Sequence, residues 1–309
     1  MNRDYTEGPA GKARIIYITG MKPKPAPGLH RPELVRVLAA SLARIDPEAA
    51  SWLKARPERF VLVPWTPLLY DAERRDIGLD RPGIERLLAE PRPSAEDRRE
   101  ADSLKLALLR AWHLIGDSLP LLSGLVARPA LRVTLADVHR YLEDRDGIAR
   151  RVRQLVIDEL ERAWTAGDRV LVIGHSLGSV IAYDSLWQLS RETASPGRVE
   201  LLMTLGSPLA TRFVREGLRG AERKGAERYP GNIDRWVNVA AQGELVALHR
   251  RIKPFFAGML KQGLIASIED ERIYNHFRGE RGLDVHKSYG YLNHPVVAER
   301  ICDWLRYSS

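Results

Sequence analysis

Residues 168–189, DRVLVIGHSLGSVIAYDSLWQL, constrain the fold of this chain more than any other stretch. Residues 169–173 form a short run rich in Val and Ile behind Gly167 and Asp168, the pattern of a strand buried on both faces. Gly174-His175-Ser176-Leu177-Gly178 follows without a spacer, and then Val180, Ile181, Tyr183, Asp184, Leu186 and Leu189 recur at near-helical spacing. The chain is therefore expected to pass from strand to helix through a turn centred on Ser176. A Gly-x-Ser-x-Gly sequence in that setting is a nucleophile elbow. The backbone must turn sharply to lift a serine hydroxyl clear of a sheet, and glycines leave no side chain where strand and helix approach. The first N–H groups of the new helix lack intrahelical partners, so the amide of Leu177 is placed to donate to an oxyanion beside Ser176. The alternative is a structural strand-to-helix turn with no chemistry.

On these residues the chain resembles the α/β-hydrolase superfamily, and GHSLGSVIAYDSL looks especially like the elbow of intracellular lipases and phospholipases, the DDHD-domain phospholipases among them. The resemblance implies a mostly parallel central sheet flanked by helices, with helical lid-like insertions. It also implies a serine hydrolase that uses no cofactor and no metal, cleaving a carboxylic ester of lipid or acyl type through a Ser-His-acid triad. A thioesterase or an acyltransferase would use the same site. The rival from another class is a non-catalytic binding protein of the same fold.

Composition bounds the rest. The 309 residues are 44% hydrophobic and 28% charged, as in a globular protein with a sizeable core, and the distribution of strands favours one domain over residues 1–309. Cys302 is the only cysteine, so no internal disulfide can form; residues 1–12 are polar with no apolar core of a secretory signal. No run of 18 apolar residues is present. A cytoplasmic protein is expected. The formal net charge of +8 is compatible with nucleic acid, an anionic membrane or an acidic substrate. The basic residues are scattered, without zinc-ligand spacing or a long basic run, which argues against nucleic acid.

Along the chain, residues 14–19 read as the first core strand and 59–65 as the second, with a crossover helix over 32–45 between them. Residues 66–144 are irregular and are read as an insertion, with helices near 83–89 and 95–115. Residues 112–135 are either a lid over the active site or an additional helical layer. Residues 147–166 carry Ile148, Val152, Leu155, Val156, Leu160 and Ala163 as one helical stripe leading into the elbow strand. Strands follow at 199–205 and 235–240, then a second insertion at about 245–280, whose residues 252–268 are apolar and basic together. An amphipathic helix over 294–307 closes the chain.

The resemblance also implies where the remaining site residues lie. Relatives place the acid, then the histidine, after the serine in loops at the carboxyl ends of strands. Glu244, in VNVAAQGELVA, stands where relatives place an Asp; Asp284 and a merely solvated Glu244 are the alternatives. His286, in HKSYGY before Pro295, has the setting of the relatives' histidine, with His294 as the alternative and a helix-capping role as the other reading of His294. His175 is expected to pack away from Ser176, and Asp184 to be a structural carboxylate. After the first strand, where relatives carry His-Gly, Thr19-Gly20 is followed by MKPKPAPG, making Met21 the second oxyanion donor unless this loop only terminates the strand. Apolar and basic residues in 112–135 and 252–268, with the net +8, lead to an expectation of peripheral contact with an anionic membrane. The oligomeric state is left open.

Overall fold

The computed structural model describes residues 12–70, 78–103, 138–193, 195–244, 246 and 249–306. Its centre is a sheet of six parallel strands in the order β2-β1-β3-β4-β5-β6: β1 Ala13–Ile18, β2 Phe60–Val63, β3 Arg169–His175, β4 Val199–Leu205, β5 Ile233–Ala241 and β6 Ser267–Ile273. This is an α/β fold. Because side chains alternate along each strand, the sheet feeds two cores. Ile16, Ile18, Val170, Val172, Leu202 and Trp236 face one side, and Ile15, Tyr17, Leu171, Ile173, Met203 and Val237 face the other.

The first core is closed by α5 Ile148–Thr165, α6 Leu177–Arg191 and α8 Lys253–Lys261. On the second face lie α1 Pro27–Ala43, α2 Pro47–Ala55, α3 Arg81–Ala89, α9 Ser288–Leu292 and α10 Pro295–Arg306. Shorter helices α4 Ala95–Ala101 and α7 Arg212–Gly217 complete the elements used below. Among the described residues no helix is long and apolar enough to cross a membrane.

Three expectations change. Helix α1 begins at Pro27 rather than residue 32, because Pro27 takes the first helical position, where its missing N–H costs nothing, and Pro32 is carried inside the helix. Residues 252–268 are not an apolar insertion facing solvent: α8 buries Phe256 and Met259 against the sheet and leads into β6. Strand β6, SIEDERI, is not legible in the sequence because four of its seven residues are charged. Its Ile268 and Ile273 are buried, Asp270 accepts the Ile252 and Lys253 amides at 2.8 and 3.1 Å at the start of α8, and Arg300 of α10 pairs with Glu269 at 2.8 Å. Charges at an edge hide the period-two pattern. The lid expected at 112–135 lies outside the described residues.

At the amino ends of β1, β2 and β3, Asp168 joins Arg14 at 2.5 Å and Arg59 at 2.6 Å, with its own side chain 3% exposed. Removing a buried carboxylate strands two half-buried guanidinium groups. Asp168→Ala is expected to lower stability by roughly 1–3 kcal/mol in urea unfolding. The conformation at the opposite, carboxyl end of the sheet, read from near-ultraviolet circular dichroism, is expected to stay unchanged.

Candidate active site

The strand order reverses between β1 and β3, since β1 leads to β2 on one side and β3 to β4 on the other. In open parallel sheets the crevice at the carboxyl ends of such a pair is where ligands are held. Ser176 follows β3 directly, and Gly20 follows β1; a Cβ on Gly20 would lie 2.8 Å from the Ser176 Cβ. The two loops touch at the crevice.

Ser176 has φ 53° and ψ −126°, a region that non-glycine residues adopt at a cost of about 1–3 kcal/mol. Its surroundings over-determine it. The Ser176 amide donates to Leu205 O at 2.9 Å, while Ser176 O accepts from the Ser179 amide at 3.0 Å and from Ser179 Oγ at 2.6 Å. Ser207 Oγ lies 2.7 Å from Ser179 Oγ and itself accepts the Leu209 amide at 3.2 Å. With Ser179 donating to a carbonyl and Ser207 accepting from an amide, the hydroxyl between them must be given by Ser207 to Ser179. The chain of donors thus runs one way and ends on the elbow carbonyl. Gly178 allows the close packing this needs, because a Cβ there would fall 2.2 Å from Ile18 O.

Glu244 and His286 meet beside this turn. His286 Nδ1 is hydrogen-bonded to Glu244 Oε1, and Glu244, 1% exposed, receives the Tyr291 hydroxyl and the Ala241 amide at Oε2, the latter at 3.3 Å. An ionised carboxylate only accepts, so Nδ1 carries the ring proton and Nε2 is the free base position. The His286 backbone is held as well: its amide donates to Asp284 Oδ1 at 3.1 Å, and its carbonyl lies 2.8 Å from His175 Nε2. His175 must donate there. Burial first, and then the neighbouring His286 and Lys24, hold His175 well below the usual histidine range, so it stays neutral. Its ring stands 4.8 Å from that of His286, centroid to centroid. Ser176 Oγ has no hydrogen-bond partner among the described residues.

Gly206 ties these parts together. It follows Leu205, the acceptor of the Ser176 amide, and has φ +57°. A Cβ there would stand 2.5 Å from Glu244 Oε1, 3.0 Å from His286 Nδ1 and 3.0 Å from the Tyr291 hydroxyl oxygen. No side chain fits.

The two amides expected to serve as oxyanion donors stand on the two loops at the crevice. Leu177 is the first residue of α6, so its amide has no intrahelical acceptor by position. Met21 is buried, and among the described residues its amide has no acceptor. Its loop is fixed by Trp65 Nε1 donating to Thr19 O at 2.9 Å, Lys22 N to the Tyr70 hydroxyl at 2.8 Å and Lys24 Nζ to Met21 O at 2.5 Å.

The other candidates take structural positions. Asp284 holds the His286 amide and not its ring. His294 Nδ1 accepts the Val296 amide at 3.3 Å at the start of α10, and burial lowers it to about 4. Asp184, buried, accepts the Tyr141 hydroxyl at 3.1 Å and the Arg219 amide at 2.9 Å, and burial raises it to about 6. The sequence HKSYGY contains Tyr291 but does not reveal that its hydroxyl meets Glu244, nor that His175 holds the His286 carbonyl. Among the described residues no group of three or more His, Cys, Asp or Glu is gathered as for a metal ion. Comparison of the chain with protein-family models, curated proteins and solved structures gives no match.

The Nδ1 proton of His286, shared with a buried carboxylate, is expected to give a proton resonance well downfield of the amides. Glu244→Gln and Gly206→Ala should both abolish it, the second because the new methyl displaces the pair. A resonance unchanged in Gly206→Ala would contradict this packing.

Proposed function

We propose that the chain is a serine hydrolase of the α/β-hydrolase type, acting on a carboxylic ester of lipid or acyl character through an acyl-enzyme. The observation that carries this reading is the His286–Glu244 pair, its carboxylate buried and its members oriented by Tyr291 and His175, beside a serine held in a left-handed elbow. A structural turn needs neither the strain nor a tautomer-fixing carboxylate.

In the proposed reaction the Ser176 oxygen adds to the ester carbonyl while its proton passes to His286 Nε2, and Glu244 stabilises the imidazolium. The carbonyl electron pair moves onto oxygen, which accepts from the Leu177 and Met21 amides. Each such donor contributes on the order of 10²–10³ in rate. Collapse breaks the ester C–O bond, and the His286 proton goes to the departing alcohol. Water, deprotonated by the same nitrogen, then adds to the acyl-enzyme; collapse releases the acid and returns the proton to Ser176. A thiol leaving group or an alcohol in place of water would make the same site a thioesterase or an acyltransferase. Contact with an anionic lipid surface belongs to the proposal through the net charge of +8. Residues 252–268 no longer support that contact, because they pack against the sheet.

A fluorophosphonate probe is expected to label the wild type and not Ser176→Ala. On p-nitrophenyl esters Ser176→Ala and His286→Ala should each lose roughly 10⁴-fold or more in kcat. His294→Ala should lose mainly stability. An active His286→Ala beside a dead His294→Ala would overturn the assignment of the base.

A further inference from the structure

Glutamate is one methylene longer than aspartate, and the surroundings of Glu244 use that length. The residue stands on a turn at the end of β5, closed by its own amide donating to Ala241 O at 3.4 Å. From there its carboxylate meets two groups that lie five residues apart on a later segment, the His286 ring in its loop and the Tyr291 hydroxyl in α9. Oε1 takes the ring and Oε2 takes the phenol. Glu244 and Tyr291 are both buried, and the space in which they converge is the one that Gly206 leaves open.

The direction of these hydrogen bonds is fixed. The Ala241 amide lies 3.1 Å from the Tyr291 hydroxyl oxygen and 3.3 Å from Glu244 Oε2. An amide only donates, so the phenol oxygen accepts there and its own proton goes to Oε2. Burial, and then the charge of Glu244 and the hydrogen bond to it, hold the Tyr291 hydroxyl well above the usual tyrosine range, so that proton stays in place. Among the described residues no Lys or Arg is ion-paired with Glu244. The phenol is therefore the main donor to Oε2, because the amide at 3.3 Å is beyond the usual hydrogen-bond range. Linked hydrogen bonds polarise one another, so phenol and imidazole share the charge of one carboxylate.

An aspartate on the same turn would end about 1.5 Å short, the length of one C–C bond. It would keep the ring or the phenol and not both.

We infer that Tyr291 is a positioning residue of this site: its hydroxyl bridges to Glu244, makes glutamate rather than aspartate the acid that fits, and sets how strongly the carboxylate holds the His286 Nδ1 proton. The consequence for rate rests on the hydrolase reading, while the coupling from phenol through carboxylate to imidazole can be read without it.

Two measurements test it. First, the downfield proton resonance of His286 is recorded in the wild type, in Tyr291→Phe and in protein carrying 3-fluorotyrosine at position 291. Phenylalanine removes the donor and leaves more charge on Oε1, so the resonance is expected to move further downfield. The more acidic fluorinated phenol draws charge to Oε2 and should move it upfield. The fluorinated protein keeps the hydroxyl, so its shift stands even where phenylalanine disturbs the fold. A phenol that only fills space would leave the resonance in place in both proteins, which would overturn the proposal, as would displacement in the same direction in both. Second, kcat and KM on p-nitrophenyl esters are compared for Tyr291→Phe, Glu244→Asp and the double variant. Each single variant is expected to lose roughly 10–100-fold in kcat with KM unchanged. The double variant should lose no more than Glu244→Asp, since with either contact gone the phenol no longer acts on the ring. A wild-type kcat in Glu244→Asp, or losses that multiply in the double variant, would overturn the proposal. Resonance shifts of the expected signs in a chain that no fluorophosphonate labels would support the bridge and reject the hydrolase reading.

Discussion

The site depends on one residue being held where its backbone does not rest by itself. Ser176 occupies φ 53°, and the cost of about 1–3 kcal/mol is offset by hydrogen bonds to both sides of its peptide unit and by the hydroxyl chain from Ser207 through Ser179. These contacts come from the ends of two neighbouring strands, β3 and β4, so the elbow depends on more than its own strand. Leu205 gives the Ser176 amide its acceptor, and the next residue, Gly206, leaves the space in which Glu244, His286 and Tyr291 converge. Thus the acceptor that fixes the Ser176 amide and the gap that admits Glu244 and His286 lie on consecutive residues.

Much of this arrangement was legible in the sequence, for physical reasons that differ by element. Strands built from apolar runs announce themselves, and β1, β2, β3, β4 and β5 are visible in that way, β2 although it lies at an edge. Strand β6 is not, since its apolar residues are interrupted by charged ones that pair with Arg300 and the start of α8. Glu244 and His286 were named from chain order and loop position, and they are in hydrogen-bond contact. Tyr291 and His175 act on them through a hydroxyl and a ring nitrogen, and a single sequence does not reveal which distant carboxylate or carbonyl such a group will meet.

Electrostatics and hydrogen bonding fix both sides of the crevice. Around Glu244 every contact favours a fixed, acceptor-only carboxylate, and the neutral His175 behind His286 adds no positive charge that would oppose protonation of the base. On the β1 side, Lys24 Nζ donates to the carbonyls of Met21 and Lys22 and so fixes the loop after β1.

The claim that Ser176 is an activated nucleophile is tested most directly by trapping its covalent product. After rapid acid quench of an incubation with p-nitrophenyl acetate, intact-mass and peptide analysis should find one acetyl group per chain, on the peptide containing Ser176, and none in His286→Ala. An acetyl group on another residue, or turnover of the ester with Ser176 unmodified at every quench time, would contradict the account.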